Sequence, residues 1–259
     1  MHKLLGLIYF CARAHLNTKK IRKSIFKKHK MDIDVKTITG GIYDVQVIAN
    51  DEYIGPTIAR GREWDGWMRR DVRIWHKSGT DILDVGANIG YNTLMFSDYG
   101  PVISFEPVFH QLVTLNAENN PLRYPVQVCQ CALSDEKTMS TIHIPSRGCQ
   151  SNTHINYGGT SFHHDDDDLK GVAIDVNCER LDDIYTGVPS FIKIDVEGHE
   201  LQVLKGATET IKKHKPAIMI EIHNFSEDNE IHKYLMNSLG YDKTPTRRPE
   251  QMFLYTHTT

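Results

Sequence analysis

Two apolar stretches in the second half of the chain end in side chains suited to proton transfer. Residues 191–197 read FIKIDVE and residues 217–223 read AIMIEIH, so apolar and polar side chains alternate as they do on a β-strand. Neighbouring parallel strands bring such groups to the carboxyl edge of a sheet, where ligands bind. A purely structural network, in which Lys193 neutralises Asp195, is the alternative. We expect one pocket lined by the catalytic candidates Asp195, Glu197, Glu221 and His223.

A second group of residues is typical of a nucleotide-binding turn. Residues 82–85 form a short apolar run that contains Asp84, and the sequence then reads GANIG from Gly86 to Gly90 before a helical pattern begins. Glycine permits a tight turn and the close approach of a ligand, and the following helix N-terminus favours an anionic group. Glu106 follows Gly86 by twenty residues, where such folds place an acid that binds ribose hydroxyls. These residues predict an adenosine-containing ligand.

The composition of the turn favours one such ligand over another. A dinucleotide needs G-x-G-x-x-G around its pyrophosphate, whereas this turn reads D-x-G-x-N-x-G and has the carboxylate of Asp84 beside it. That carboxylate would repel phosphates and attract an ammonium group. S-adenosylmethionine carries an ammonium, a carboxylate, a ribose and an adenine, and it is the cofactor that we predict. NAD is the alternative ligand, and a βα turn that binds nothing is the alternative to both.

The elements around these residues alternate between strand and helix. A second apolar run ends at Phe105, a helical segment covers residues 108–119, and a strand-like segment covers residues 125–133, which completes a βαβαβ half. The chain is therefore predicted to be an α/β protein. Its single domain is expected at residues 41–259, after a basic N-terminal helical extension at residues 1–40.

A long polar segment, residues 146–170, interrupts this pattern after an exposed strand predicted at residues 138–144. Loops of this length are often functional. The sequence GGTS at residues 158–161 is a candidate for substrate contact. The run HHDDDD at residues 163–168 is interpreted as a solvated acidic loop, because contiguous residues cannot all turn toward one ion.

Five short motifs together resemble the FkbM family of S-adenosylmethionine-dependent methyltransferases, over roughly residues 63–257. They are DVGANIG, FEP, LDDI, KIDVEGHE and IEIH. The resemblance implies the Rossmann-like class I methyltransferase fold, a seven-stranded, mostly parallel sheet with an antiparallel last strand and helices on both faces. It also implies O-methylation of a hydroxyl in a sugar, glycan or related natural product. It places the methionine part of the cofactor at Asp84, Gly86, Asn88 and Gly90, the ribose at Glu106, and the adenine near Ala132, Leu133 and Ser134.

Methyl transfer to an alcohol calls for a base, because the hydroxyl itself has a high pKa. His223 is chemically matched to neutral pH, and Asp195 beside Glu221 is an equal competitor. The sequence leaves both assignments open. No metal ligand is predicted, although Asp195, Glu221 and His223 are an alternative site for a divalent ion that polarises the acceptor hydroxyl.

Composition and charge restrict the remaining classes of protein. With 40% hydrophobic and 24% charged residues, the 259-residue chain can bury a substantial core, and its net charge of -3 argues against a nucleic-acid partner. The apolar residues 4–11 are too few to span a membrane, so a cytoplasmic protein is expected. The basic residues 19–30 are a candidate for weak contact with a membrane surface or a partner. An NAD-linked oxidoreductase and an adenosine-ligand-binding module without catalysis are the alternative functions.

Overall fold

The computed structural model describes residues 33–146, 154–163, 171–245, 249 and 251–257. The basic residues 19–30 and residues 164–168 of the acidic run lie outside these ranges. No helix within the described ranges is long and apolar enough to cross a membrane.

The strands are β1 (Val35–Ile38), β2 (Val45–Ile48), β3 (Asp81–Val85), β4 (Val102–Phe105), β5 (Val126–Cys129), β6 (Ala132–Leu133), β7 (Thr138–Ile144), β8 (Val172–Glu179), β9 (Pro189–Ile194), β10 (Ala217–Glu221), β11 (Asp242–Lys243) and β12 (Met252–Thr256). The α-helices are Ile54–Ala59, Met68–Trp75, Tyr91–Phe96, His110–Glu118, Leu181–Ile184, Glu200–Gly206, Thr208–His214 and Glu230–Lys233, with a 3-10 turn at Tyr157–Gly159 and a π-helical turn at Tyr234–Ser238.

The main sheet has seven strands in the order β11-β12-β10-β9-β3-β4-β5. β5, β4, β3, β9 and β10 run parallel to one another, whereas β12 is antiparallel to both β10 and β11. This confirms the predicted mostly parallel sheet with an antiparallel last strand. The chain moves outward from β3 in one direction through β4 and β5, and later in the other through β9 and β10. The crevice between β3 and β9 is therefore the switch point at which such sheets bind ligands.

Helices cover both faces of this sheet, as predicted. Side chains that alternate along a strand enter different hydrophobic clusters, so that Ile82 lies in one and Leu83 in the other. Helical residues Leu94 and Leu112 pack in the first cluster, and Leu204 packs in the second. Because both faces are covered, the central strands must be apolar almost throughout, which explains the short continuous apolar runs in the sequence.

Two smaller sheets accompany the main one. β1 pairs with β2, and β6, β8 and β7 form a second small sheet in which β7 and β8 are antiparallel. β7 matches the exposed strand predicted at residues 138–144, but β8 was not predicted. β1 lies N-terminal to the domain boundary expected at residue 41, and its first residue, Val35, is buried in the core together with Ile33.

The predicted strand alternation stops earlier than the sequence pattern indicated. β9 ends at Ile194, and all six of its residues are buried, including Lys193 at 2% exposure. Glu197 has φ 54° and Gly198 has φ 98°, so the chain leaves the extended conformation and Asp195 and Glu197 lie in the following turn. The prediction that charged side chains occupy one face of a continuous strand through Glu197 is therefore wrong.

Candidate functional site

A cavity lies at the carboxyl ends of β3, β4 and β9, at the switch point of the sheet. The turn after β3 contributes Gly86 and Asn88, the end of β4 contributes Glu106, and the turn after β9 contributes Asp195 and Glu197. These five residues were all predicted from the sequence as cofactor-binding or catalytic. The fold therefore brings the two informative sequence segments together around one space.

Glu106 is fixed at the edge of this cavity by backbone N–H groups. Its Oε1 accepts hydrogen bonds from the amides of Val108 and Phe109 at 2.8 and 2.9 Å, and its Oε2 accepts one from the amide of Asn88 at 2.8 Å. Burial raises the pKa of Glu106, while these three donors lower it. A carboxylate has about four acceptor positions, so Glu106 retains capacity for a ligand hydroxyl.

Gly86 and Gly90 of the turn are required for different structural reasons. A Cβ on Gly86, which has φ 77°, would collide with the backbone carbonyl oxygen of Asp195 in the turn after β9. A Cβ on Gly90 would lie 2.9 Å from Cγ1 of Val113, so Gly90 permits helix packing and does not line the cavity. Between them, Asn88 has φ 52°, and its buried Oδ1 has no hydrogen-bond partner within the described residues. This oxygen is available to a ligand.

Asp84 lies behind the turn instead of in the cavity. Its side chain is completely buried, and its Oδ2 accepts a 2.6 Å hydrogen bond from Oγ1 of Thr93. Nζ of Lys193 lies 3.7 Å from Oδ1 of Asp84 and 3.1 Å from Oδ2 of Asp195, and it donates to the carbonyl of Gly86 at 2.9 Å. The geometry therefore does not give Asp84 the direct ligand contact expected from the sequence, because strand alternation turns it toward the helix that carries Thr93.

Lys193 is the cation at the centre of this arrangement. Burial alone would lower its pKa, but Asp195 and Asp84 more than offset that effect and raise it. The ammonium therefore stays charged and joins the turn after β3 to the turn after β9. From its sequence Lys193 was expected only to neutralise Asp195. Its contact with the carbonyl of Gly86 follows from the parallel pairing of β3 and β9.

The remaining catalytic candidates lie beside Glu197. Nε2 of His223 is 3.0 Å from Oε2 of Glu221 and 3.6 Å from Oε2 of Glu197. Burial, and then the nearby carboxylates of Asp195 and Glu200, raise the pKa of Glu197 to about 8. Burial and the same negative neighbours raise the pKa of Glu221 as well. Glu221 and His223 adjoin the cavity through Glu197 and do not line it.

The region predicted for adenine is only partly in the cavity. Ala132 and Leu133 line it, but the buried Ser134 hydroxyl lies 3.0 Å from Nε2 of His199. The His199 ring in turn contacts Phe162, with ring centroids 4.3 Å apart, and Phe162 lines the cavity. Ser134 therefore orients a wall residue through His199.

One wall of the cavity was missed by the sequence analysis. Tyr157 and Phe162 from the polar segment line it, together with Phe109. The Tyr157 hydroxyl donates to Oδ1 of Asn50 at 3.1 Å, and its ring meets that of Phe109 edge-on at 5.9 Å. The sequence GGTS was the one signal for this wall, and its Gly158 and Thr160 do line the cavity.

Comparison with known proteins identifies relatives of most of the chain. The Methyltransferase FkbM domain family matches residues 84–243. The hexuronic acid methyltransferase AglP of Haloferax volcanii is 29% identical over 208 residues, which cover 73% of this chain and 79% of that protein. The methyltransferase sdnD of Sordaria araneosa is 27% identical over 207 residues, 68% of this chain and 80% of that protein.

A solved structure is similar as well. The methyltransferase FkbM from Methylobacillus flagellatus KT is 24% identical to this chain, with a TM-score of 0.44. The match covers 69% of this chain and 43% of that one.

Proposed function

Because the chain belongs to the FkbM family of methyltransferases, we propose that it transfers a methyl group from S-adenosylmethionine to a hydroxyl of a sugar, glycan or related natural product. One observation carries the proposal. The carboxylates of Asp195 and Glu197 lie on the same cavity as the turn residues Gly86 and Asn88 and the ribose candidate Glu106. Membership of a methyltransferase family favours this function over the two alternatives, an NAD-linked oxidoreductase and a binding module without catalysis.

The residues around the cavity suit this cofactor. The unpartnered Oδ1 of Asn88 matches the ammonium or hydroxyl donors of such a ligand, and Glu106 has remaining acceptor capacity. Ala132 and Leu133 offer an apolar surface for adenine. We assign the methionine part to Gly86 and Asn88. Asp84, Gly90 and Ser134 are assigned supporting roles, through Lys193, through helix packing and through His199.

A sugar hydroxyl is the acceptor that the remaining groups favour. Asp195 and Glu197 are hydrogen-bond acceptors on the cavity wall, and acceptor oxygens suit a ligand that presents several hydroxyl donors. One relative is a hexuronic acid methyltransferase, and a hexuronic acid is a sugar acid. The net charge of -3 also argues against a polynucleotide acceptor, which usually needs a basic face.

Asp195 is the general base that we propose. When bound, S-adenosylmethionine supplies an electrophilic methyl group, so the protein has to position the acceptor oxygen and remove its proton. Asp195 lines the cavity with its side chain 30% exposed, and Lys193 fixes one of its oxygens. His223, the other candidate, does not line the cavity, because its Nε2 is directed at Glu221 and Glu197.

Replacing Asp195 with asparagine tests this assignment. The variant removes the proton acceptor and retains the shape, so we expect turnover to fall by about 10²- to 10⁴-fold. The affinity for S-adenosylhomocysteine should stay within a few-fold, since Asp195 is placed on the acceptor side. The measurement is transfer of a labelled methyl group to a panel of hexoses and hexuronic acids, with Glu118→Gln on the exposed end of a helix as the control. Turnover of Asp195→Asn equal to that of the control contradicts the role of Asp195.

A further inference from the structure

Three potential metal ligands converge beside the cavity, at the carboxyl ends of β9 and β10. Glu197, Glu221 and His223 each have one ligand atom in a group whose members all lie within 4.8 Å of one another. The group combines one imidazole nitrogen with two carboxylates, and it comes from the ends of two neighbouring strands and the segments that follow them. The Glu197 side chain also lines the cavity, so the group is contiguous with the proposed reaction site.

Within the described residues, the acidic side chains around this group outnumber the basic side chains that pair with them. Lys193, the buried cation nearby, is held by Asp84 and Asp195. Within the described residues, the ion-pair partner of both Glu197 and Glu221 is the single side chain of His223. When both carboxylates are ionised, the one imidazole that they share cannot offset their charge in this partly buried setting. Such groups are seldom kept without a further partner.

Glu221 is incompletely paired with His223. Its Oε2 is sealed from solvent and accepts no hydrogen bond within the described residues, although Nε2 of His223 is 3.0 Å away. The distance suits a hydrogen bond but the orientation does not. A buried acceptor without a donor is costly. Two atoms that are close without being hydrogen-bonded are what a common third partner, an ion between them, would produce.

The backbone around Glu197 is also shaped to present this side chain. Glu197 has φ 54°, an unusual conformation for a residue other than glycine, and Gly198 has φ 98°. The turn is held from behind by the buried Glu200, whose Oε1 accepts hydrogen bonds from the amides of Val196 and Gly198 at 3.2 and 3.1 Å. Strained backbone that is fixed in this way is concentrated at functional sites.

We infer that Glu197, Glu221 and His223 bind one divalent cation of the first transition series, such as Mn²⁺. Carboxylates suit Mn²⁺, and an imidazole ligand favours a transition metal over Mg²⁺ or Ca²⁺. Three protein ligands leave coordination positions open. As a deepening that rests on the proposed function, the ion would bind the acceptor hydroxyl as a Lewis acid. The acceptor oxygen would bond to the methyl carbon as the sulfur–methyl bond of the cofactor breaks, the hydroxyl proton would pass to Asp195, and S-adenosylhomocysteine would leave.

Binding of Mn²⁺ to the purified 259-residue chain, without cofactor or acceptor, tests the inference. Electron paramagnetic resonance measures free Mn²⁺, and we expect one bound ion per wild-type chain. Glu221→Gln and His223→Gln should each weaken binding about tenfold or more, because each removes a ligand. The matched control is Glu118→Gln, which removes an exposed carboxylate that is distant in sequence from the three proposed ligands. Its Mn²⁺ affinity should equal that of the wild type.

Thermal unfolding gives a second readout. Mn²⁺ should raise the Tm of the wild type and of Glu118→Gln but not of the two ligand variants, since an ion that binds only the folded state stabilises it. Failure of the wild type to bind Mn²⁺, or undiminished binding by His223→Gln, overturns the inference. His223 is 43% exposed, so its replacement is expected to leave the fold intact. Neither outcome decides whether the cavity binds the cofactor, because binding of S-adenosylhomocysteine is measured in a separate experiment.

Discussion

Replacement of Lys193 with methionine is expected to lower the free energy of unfolding by about 3–5 kcal/mol, the usual cost of removing one partner of a buried ion pair. Methionine fills a similar volume but leaves the completely buried Asp84 without its cation. It also removes the donor to the carbonyl of Gly86, so affinity for S-adenosylhomocysteine should fall in the same variant. Chemical denaturation and calorimetry measure the two effects.

Two further variants separate charge from packing at this position. Lys212→Met changes an exposed lysine and should alter stability by less than about 0.5 kcal/mol. Adding Asp84→Asn to Lys193→Met removes the stranded carboxylate, and part of the lost stability should return. If Lys193→Met is as stable as Lys212→Met, Lys193 does not support the two turns as described.

Glu106→Ala is expected to weaken binding of S-adenosylhomocysteine about 100-fold or more. Hydrogen bonds to a charged group contribute about 1.5–3 kcal/mol each, and the ribose loses its acceptor. The variant also leaves the amides of Asn88, Val108 and Phe109 without their partner, which loosens the turn that lines the cavity. Calorimetric titration measures the affinity, and circular dichroism verifies that the variant is folded.

The matched comparison for Glu106 uses one conservative and one remote variant. Glu106→Gln retains one acceptor oxygen, so its loss of affinity should be intermediate, and Glu118→Gln should bind as the wild type does. A folded Glu106→Ala variant with wild-type affinity would place the ribose elsewhere in the cavity.

The central part of the fold could be predicted because its signals are local. The runs that became β3, β4 and β9 are apolar because both sheet faces are covered, and glycines mark the turn at Gly86. Glu106 could be placed because its distance from that turn is set by one helix and one strand. The same local rules placed Asp195 and Glu197 at the edge of the cavity.

Other parts of the site depend on contacts between residues far apart in sequence. The wall formed by Tyr157 and Phe162 exists because the polar segment is fixed by Asn50 and by a bridge between His143 and Ser161. No periodicity in that segment signals these contacts. β9 ends at Ile194, and Glu197 has a left-handed conformation where a continuous strand was predicted. A non-glycine residue gives little warning of such a turn.

The claim that this cavity binds S-adenosylmethionine is tested most directly by calorimetric titration of the wild-type protein with S-adenosylhomocysteine and, separately, with NAD. We predict that S-adenosylhomocysteine binds with one site per chain and that NAD gives no heat of binding. Binding of NAD alone, or of neither compound, would contradict the assignment of the cavity.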